Sequence, residues 1–185
     1  MATDVQTEPR GEVADDSAPP PSAGVERPPL LLLLAGLSAA AGLIHAKALF
    51  DHATHYWLFG VFFGVLTYVQ VLWAVQLYRR PDDRRLFGPI AVMSLGVIAI
   101  WLVSRTVGLP IGPWADRAEP IGAADFAATL DEVVIVVLIV SMLRPHGRLA
   151  ARMRWLDEAN CVRVGSMLCA LSLMALLLGS HSHAN

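Results

Sequence analysis

The sequence is poor in lysine and cysteine. Lys47 is the only lysine among 14 basic residues, and the 185 residues include two cysteines, Cys161 and Cys169. These two lie too far apart for a CxxC redox or zinc motif, so we interpret both as small apolar packing residues. The use of arginine instead of lysine, together with abundant alanine, indicates a bacterial genome of high GC content.

The sequence also lacks a strong charge bias and the common catalytic motifs. With 14 basic and 16 acidic residues the net charge is -2, so we expect no nucleic-acid partner. There is no P-loop, no dinucleotide fingerprint, no nucleophile elbow and no HExxH zinc motif. No serine or cysteine lies beside His45 in the outer half of the membrane as a candidate nucleophile. The sequence therefore favours a non-enzymatic protein over an enzyme.

Long apolar runs are what the sequence does contain, since 55% of its residues are hydrophobic. Runs of about 20 residues suit a helix that crosses a bilayer, and continuous rather than alternating apolar residues exclude a membrane barrel. The sequence predicts an all-α integral membrane bundle of about five transmembrane helices, within a domain over residues 29–180. The predicted spans are 30–50, 56–78, 86–104, 123–143 and 164–180.

Two short polar tails flank this domain. Residues 1–28 are acidic and rich in proline, which predicts a disordered cytoplasmic tail. An acidic approach to the first span is unlike a signal peptide, although residues 38–40 weakly resemble a cleavage site, so removal of the first span stays an alternative. Residues 181–185 carry His181 and His183 and form an outward-facing, solvated tail.

The distribution of arginine predicts the orientation in a bacterial plasma membrane. Nine basic residues lie in the loops after spans two and four, against three near the opposite ends of the spans. Cytoplasmic loops carry the excess of positive charge. We therefore expect the N-terminus inside and the C-terminus outside.

Acidic residues in span four are the first candidate functional residues. Asp131 and Glu132 lie about 13 Å below the outer end of the span at 1.5 Å per residue, where each charge costs about 2.5–3.5 kcal/mol on insertion scales. Asp125, Thr129 and Glu132 recur at helical spacing and form one polar stripe. Asp131 lies about 100° away from this stripe, so it faces another helix.

Histidines at the end of span one are the second candidates. His45 lies about 7–8 Å inside the outer boundary of that span, and side chains lean toward the N-terminus of their helix. Because spans one and four run in opposite directions, His45 and Glu132 lean toward a common depth. His52 and His55 follow at the outer mouth.

Arg105 closes span three at the same level where Asp125 opens span four. We interpret this pair as an ion pair that ties the two spans together. The connecting residues, 106–114, are rich in glycine and proline, and they predict a stiff cap over the outer mouth, with Asp116 and Glu119 as further hydrogen-bond acceptors.

Two interpretations of these polar residues stay open. In the functional one, His45, His52, His55 and Glu132 bind a transition metal ion, or the cluster binds or conducts another cation or protons. Arg105, Asp125 and Asp131 form the polar cluster or ion pair beside them. In the structural one, the same residues only hold helices together in a subunit of a membrane complex. The partners are then the lipid bilayer and either a second membrane protein or another copy of the chain.

One block of the sequence resembles a known group of proteins. Residues 104–113 read Ser-Arg-Thr-Val-Gly-Leu-Pro-Ile-Gly-Pro, and Gly-Leu-Ile-His45, Trp57-Leu-Phe-Gly60 and Gln70 precede them. Residues 30–143 thereby resemble a family of uncharacterised polytopic membrane proteins of actinobacterial type. The resemblance implies a topology and no activity.

Overall fold

A computed structural model of the chain describes residues 29–113, 115–144 and 158–179. The predictions for the tails, residues 1–28 and 181–185, lie outside the described residues. The described chain forms helices and connecting turns, with no strand in any of the three segments. The helices are α1 (Pro29–His52), α2 (Trp57–Arg79), α3 (Phe87–Thr106), α4 (Ala123–Leu143) and α5 (Glu158–Gly179), with a 3-10 turn at Arg84–Leu86 before α3.

The predicted all-α membrane fold is confirmed. Five helices are long and apolar enough to cross a membrane, and they correspond in order to the five apolar runs of the sequence. The fifth differs most from its predicted bounds, because α5 begins at Glu158 rather than at residue 164. Polar residues such as Asn160 and Arg163 precede the apolar run, and the helix includes them because its backbone hydrogen bonds do not depend on apolar side chains.

The helices alternate in direction, which gives the bundle two ends. We name them the Arg105 end, where α1, α3 and α5 finish, and the Arg79 end, where α2 and α4 finish. α1 packs closely on α2, α4 and α5, and α4 packs on α1, α3 and α5. In the described residues α2 and α3 are not a closely packed pair. The two helices are therefore held apart on one side of the bundle.

Apolar packing is concentrated in the half near the Arg79 end. The larger core cluster lies there, and Leu34, Leu138 and Ile139 within it are completely buried. Its buried members are Leu31, Leu33, Leu34, Ala35, Leu37, Leu77, Phe87, Ile90, Ile135, Leu138, Ile139, Cys161 and Leu168. The half near the Arg105 end has a smaller cluster of Ile44, Ala127, Ala128 and Ala175.

A glycine allows α1 and α2 to approach at the middle of the bundle. A Cβ atom added at Gly42 would lie 3.3 Å from Val71 Cγ2 and 3.4 Å from Gln70 Cβ. Four residues earlier, the Ser38 hydroxyl donates to the backbone oxygen of Gln70 at 2.9 Å. Small residues permit this kind of close helix contact in membranes. The approach places the Gln70 side chain directly beside α1.

The loop 107–122, described except at residue 114, folds back over the Arg105 end. Gly108 has a φ of 83°, and a Cβ there would lie 2.4 Å from the backbone nitrogen of Arg117, so only glycine fits. The backbone N–H of Glu119 donates to the carbonyl of Ser104 at 3.0 Å. This bond returns the loop to the end of α3 and brings the Glu119 side chain close to Arg105.

Candidate functional site

A line of buried polar side chains crosses three helices at mid-depth. Glu132 on α4 is 0% exposed, Gln70 on α2 is 1% exposed and His45 on α1 is 4% exposed. His45 Nδ1 lies 2.8 Å from Gln70 Oε1, and Gln70 Nε2 donates to Glu132 Oε1. We call these three residues the His45–Gln70–Glu132 network.

The amide of Gln70 fixes the direction of both hydrogen bonds. Its oxygen can only accept and its nitrogen can only donate, so His45 carries a hydrogen on Nδ1 and the Glu132 oxygen is the acceptor. His45 and Glu132 are therefore coupled through one intervening side chain, at the common depth expected from the sequence.

The second oxygen of Glu132 has no hydrogen-bond partner within the described residues. The buried hydroxyl of Ser94 on α3 lies near this carboxyl group. This hydroxyl also has no hydrogen-bond partner among the described residues. Buried polar atoms are normally paired, so each such exception requires an explanation. A proton on Glu132 or a small shift of Ser94 would satisfy both groups together.

Asp131 faces a different helix from Glu132, as the offset of about 100° between consecutive helical residues requires. It is 1% exposed, and its Oδ2 accepts a hydrogen bond from Ser172 Oγ of α5 at 2.9 Å. Both Asp131 and Glu132 are therefore buried between helices. Glu132 joins α4 to α2, and Asp131 joins it to α5.

Arg105 forms two ion pairs at its end of the bundle. Its Nη2 lies 2.6 Å from Asp125 Oδ2, which is the contact suggested by the sequence. Its Nη1 lies 2.5 Å from Glu119 Oε2 in the loop 107–122. The Arg105 side chain is 10% exposed, and we call these three residues the Arg105 cluster. The cluster joins α3, α4 and the loop.

The histidines of α1 lie apart from one another along the helix. His45 stacks on Phe63, with ring centroids 5.9 Å apart, and His52, the last residue of α1, contacts the same ring at 5.4 Å. His55 lies in the exposed turn that follows, where its Nδ1 is 3.0 Å from the carbonyl of Asp51.

The predicted metal set of His45, His52, His55 and Glu132 is therefore not assembled around one point. His45 and His52 are seven positions apart, which corresponds to about 10 Å along a helix, and the Phe63 ring packs against both. Within residues 29–113, 115–144 and 158–179, no three His, Cys, Asp or Glu side chains are grouped to hold a metal ion. The metal site stays a prediction without a structural counterpart.

Two adjoining cavities connect this region to the Arg105 end. The deep cavity, of about 420 Å³, lies between α2 and α3 and is backed by α1 and α4, with His45 in its wall. The mouth cavity, of about 560 Å³, is lined by polar residues that include Lys47, Asp51 and Arg117. The Arg105 cluster borders both cavities. It stands between the mouth and the wall that contains His45.

Gln70 is the site residue that the chemical reasoning from sequence overlooked. It was noted only as part of a resemblance, although it lies in the middle of an apolar run. An amide at that depth is costly unless it is hydrogen-bonded, so its position was a signal for an interhelical partner.

Comparisons with models of protein families, with curated proteins and with solved structures gave no significant match. The resemblance therefore rests on the sequence blocks that carry it. Five helices of the described chain are long and apolar enough to cross a membrane, which is compatible with a multi-pass membrane protein.

Proposed function

We propose that this multi-pass membrane protein binds a proton at the His45–Gln70–Glu132 network, with the Arg105 end facing the outside of a bacterial plasma membrane. The observation that carries the proposal is the hydrogen-bonded connection from His45, in the wall of the deep cavity, to the fully buried Glu132. Deep acid–histidine pairs of this kind serve as proton relays in membrane proteins.

A proton suits this network better than a metal cation. A hard metal cation requires about six oxygen ligands, and a transition metal requires several nitrogen or sulfur donors around one point. The network offers one carboxyl group and one imidazole, joined through Gln70 rather than to a shared ion. Both end groups exchange protons, and the unpaired Glu132 oxygen can carry one.

The distribution of polar groups supports uptake from one side rather than conduction through the bundle. The cavities lie on the Arg105 side of the network. Toward the Arg79 end, the core around Leu34, Leu138 and Ile139 is apolar and closely packed. A proton pathway needs polar side chains or water along its whole length.

A structural role in a membrane complex is the second candidate. Two buried hydrogen bonds, from Ser38 to Gln70 and from Ser172 to Asp131, join helices without needing any ligand. Small residues and interhelical hydrogen bonds are the usual means of helix association in lipid. In this interpretation the His45–Gln70–Glu132 network would be one more such contact.

Infrared difference spectroscopy of the protein in lipid nanodiscs tests proton binding. On changing the pH, we expect the C=O band of a protonated carboxyl group to appear and disappear reversibly. The band should be missing in Glu132→Gln and retained in Glu119→Gln, whose side chain is 37% exposed and paired with Arg105. A spectrum of Glu132→Gln identical to that of the natural protein would contradict the proposal and favour the structural role.

Two further measurements separate the remaining alternatives. In sealed vesicles we expect no steady proton flux, because of the apolar core; a flux abolished by Glu132→Gln would show conduction instead. Metal analysis of the purified protein tests the predicted metal site. Metal retention that is abolished by His45→Ala and Glu132→Gln, but not by His183→Ala, would replace the proton with a metal ion.

The proposed orientation has its own test. A periplasmic reporter fused after Asn185 should be active, and one inserted at Asp82 should be inactive, because the arginine-rich loop at residues 79–85 is expected in the cytoplasm. The reverse pattern would invert the topology and place the Arg105 end inside.

A further inference from the structure

The deep cavity has the size and the composition of a small-molecule site. Its volume of about 420 Å³ lies within the range of about 300–1,000 Å³ that is usual for ligand pockets. Most of its wall is apolar, and aromatic rings are prominent. The aromatic contributors are Phe59, Phe62 and Phe63 of α2 and Trp101 of α3. Such a wall suits an apolar body with a ring or a branched chain.

The cavity lies where two helices fail to meet. α2 and α3 form its flanks, and among the described helices they are not a closely packed pair. The loop 107–122 contributes Leu109 and Ile111 to the wall on the Arg105 side. The cavity therefore occupies the gap between α2 and α3, on the side of the bundle where these two helices do not pack together.

Two N–H groups on α3, from residues that line the deep cavity, have no acceptor in the described structure. They are the indole Nε1 of Trp101 and the guanidinium Nε of Arg105, both fully buried. The two residues lie one helical turn apart, and both line the deep cavity. Unpaired buried N–H groups are uncommon in native proteins. An acceptor brought in by a ligand, with a small adjustment of either side chain, would satisfy them.

The charge around these donors argues against an anionic ligand. The guanidinium of Arg105 is already paired with two carboxylates, from Glu119 and Asp125, so the Arg105 cluster carries one excess negative charge. An incoming carboxylate or phosphate would be repelled, whereas a neutral carbonyl oxygen could accept from the free N–H groups at no electrostatic cost.

We propose that the deep cavity binds an uncharged, mainly apolar molecule that carries a carbonyl oxygen, taken from the lipid between α2 and α3. The carbonyl lies toward Trp101 and Arg105, and the apolar body packs on the phenylalanine rings of α2. This site adjoins His45 but does not require Glu132 to bind a proton, so either proposal can fail without the other.

Photolabelling with a matched pair of probes tests the site. Benzophenone is a neutral diaryl ketone, and 4-benzoylbenzoate is the same molecule with one carboxylate. In nanodiscs, benzophenone should label cavity residues such as Phe62, Phe63 and Ile100 in preference to lipid-facing Val92 and Leu95, as mapped by mass spectrometry. The carboxylate probe should label the cavity at least several-fold less. Equal cavity labelling by the two probes would overturn the choice of an uncharged ligand.

Two variants with matched controls complete the test. Ala48→Trp places a large ring in the cavity wall and should abolish saturable labelling, whereas Ala99→Trp on the exposed face of α3 should not. Trp101→Phe keeps an aromatic ring and removes the N–H donor, so the benzophenone concentration at half-saturation should rise about fivefold, the effect of one lost hydrogen bond. Trp73→Phe should leave that concentration unchanged. Labelling that is unsaturable, or unchanged in both cavity variants, would mean lipid-phase reaction only and would refute the site.

Discussion

The two halves of this bundle are stabilised in different ways. Toward the Arg79 end, large apolar side chains from all five described helices form one continuous buried cluster. Toward the Arg105 end, the apolar cluster is small, and the helices are joined by hydrogen bonds and ion pairs around two cavities. The half near the Arg79 end is stabilised mainly by apolar packing, and the half near the Arg105 end mainly by hydrogen bonds and ion pairs.

The difference reflects how helices associate in lipid. Lipid tails are as apolar as leucine side chains, so helix association depends on close packing and on interhelical hydrogen bonds. A half that keeps a cavity loses packing and must rely on polar contacts. The His45–Gln70–Glu132 network and the Arg105 cluster supply these contacts where the cavity lies, and this arrangement leaves room for a ligand.

Matched truncations in the two halves should show the largest effect. Leu138→Ala opens a hole in the closely packed half and should lower the free energy of unfolding by about 2–3 kcal/mol, near the low end for buried leucine because the unfolded helices stay in lipid. Ile44→Ala, also buried but beside the deep cavity, should cost about 1 kcal/mol, because its surroundings are already incomplete.

Steric-trap or SDS unfolding in bicelles measures both changes, and Leu95→Ala on the lipid-facing surface serves as the control. If Ile44→Ala cost as much as Leu138→Ala, the Arg105 half would be as well packed as the other, and the contrast between them would disappear.

Replacing Gln70, the amide at the centre of the His45–Gln70–Glu132 network, should have the next largest effect on the free energy of unfolding. Gln70→Leu leaves His45 and Glu132 without their shared partner, and buried groups left unpaired cost about 1–3 kcal/mol. Gln76→Leu on the same helix, outside the network, is the control and should change the unfolding free energy by less than about 0.5 kcal/mol. Equal results for the two variants would show that the network does not stabilise the Arg105 half.

The coupling between the ends of the network should be the smallest effect. A double-mutant cycle with His45→Ala and Glu132→Gln should give a coupling energy of about 0.6 kcal/mol, with about 1.7 kcal/mol as the upper limit seen for polar contacts in a membrane protein. The same unfolding assay measures it. Additive effects of the two substitutions would mean that Gln70 interacts with each end separately.

The fold was predictable from sequence because its main signal is simple. Lipid requires every backbone polar group to be bonded within a helix, so continuous apolar length alone identifies the spans. The same reasoning placed Glu132 and Asp131 against protein rather than lipid, since exposure would be costly. The bounds of α5 were harder, because a helix can continue beyond its apolar run.

The site was predictable only in part, because sequence gives depth along a helix but not which helices are neighbours. The depths of His45 and Glu132 were sufficient to suggest that they meet. Their connection through Gln70 depends on the close approach of α2 at Gly42, and the sequence alone does not pair those helices. The predicted metal site also included His52 and His55, which requires all four side chains to reach one metal ion. His52 lies about 10 Å along α1 from His45, so these side chains do not converge.

Because Asp131 and Glu132 face different helices, they find their partners at different stages of synthesis. α4 leaves the ribosome before α5 exists, so Asp131 reaches the membrane ahead of Ser172, its hydrogen-bond partner. Glu132, by contrast, meets Gln70 of a helix that has already been synthesised. Of these two acids, Glu132 can therefore be hydrogen-bonded as soon as α4 inserts, whereas Asp131 has no partner until α5 follows. Insertion of α5 therefore supplies the partner of Asp131. A chain truncated before α5 would leave Asp131 unpaired and facing the lipid.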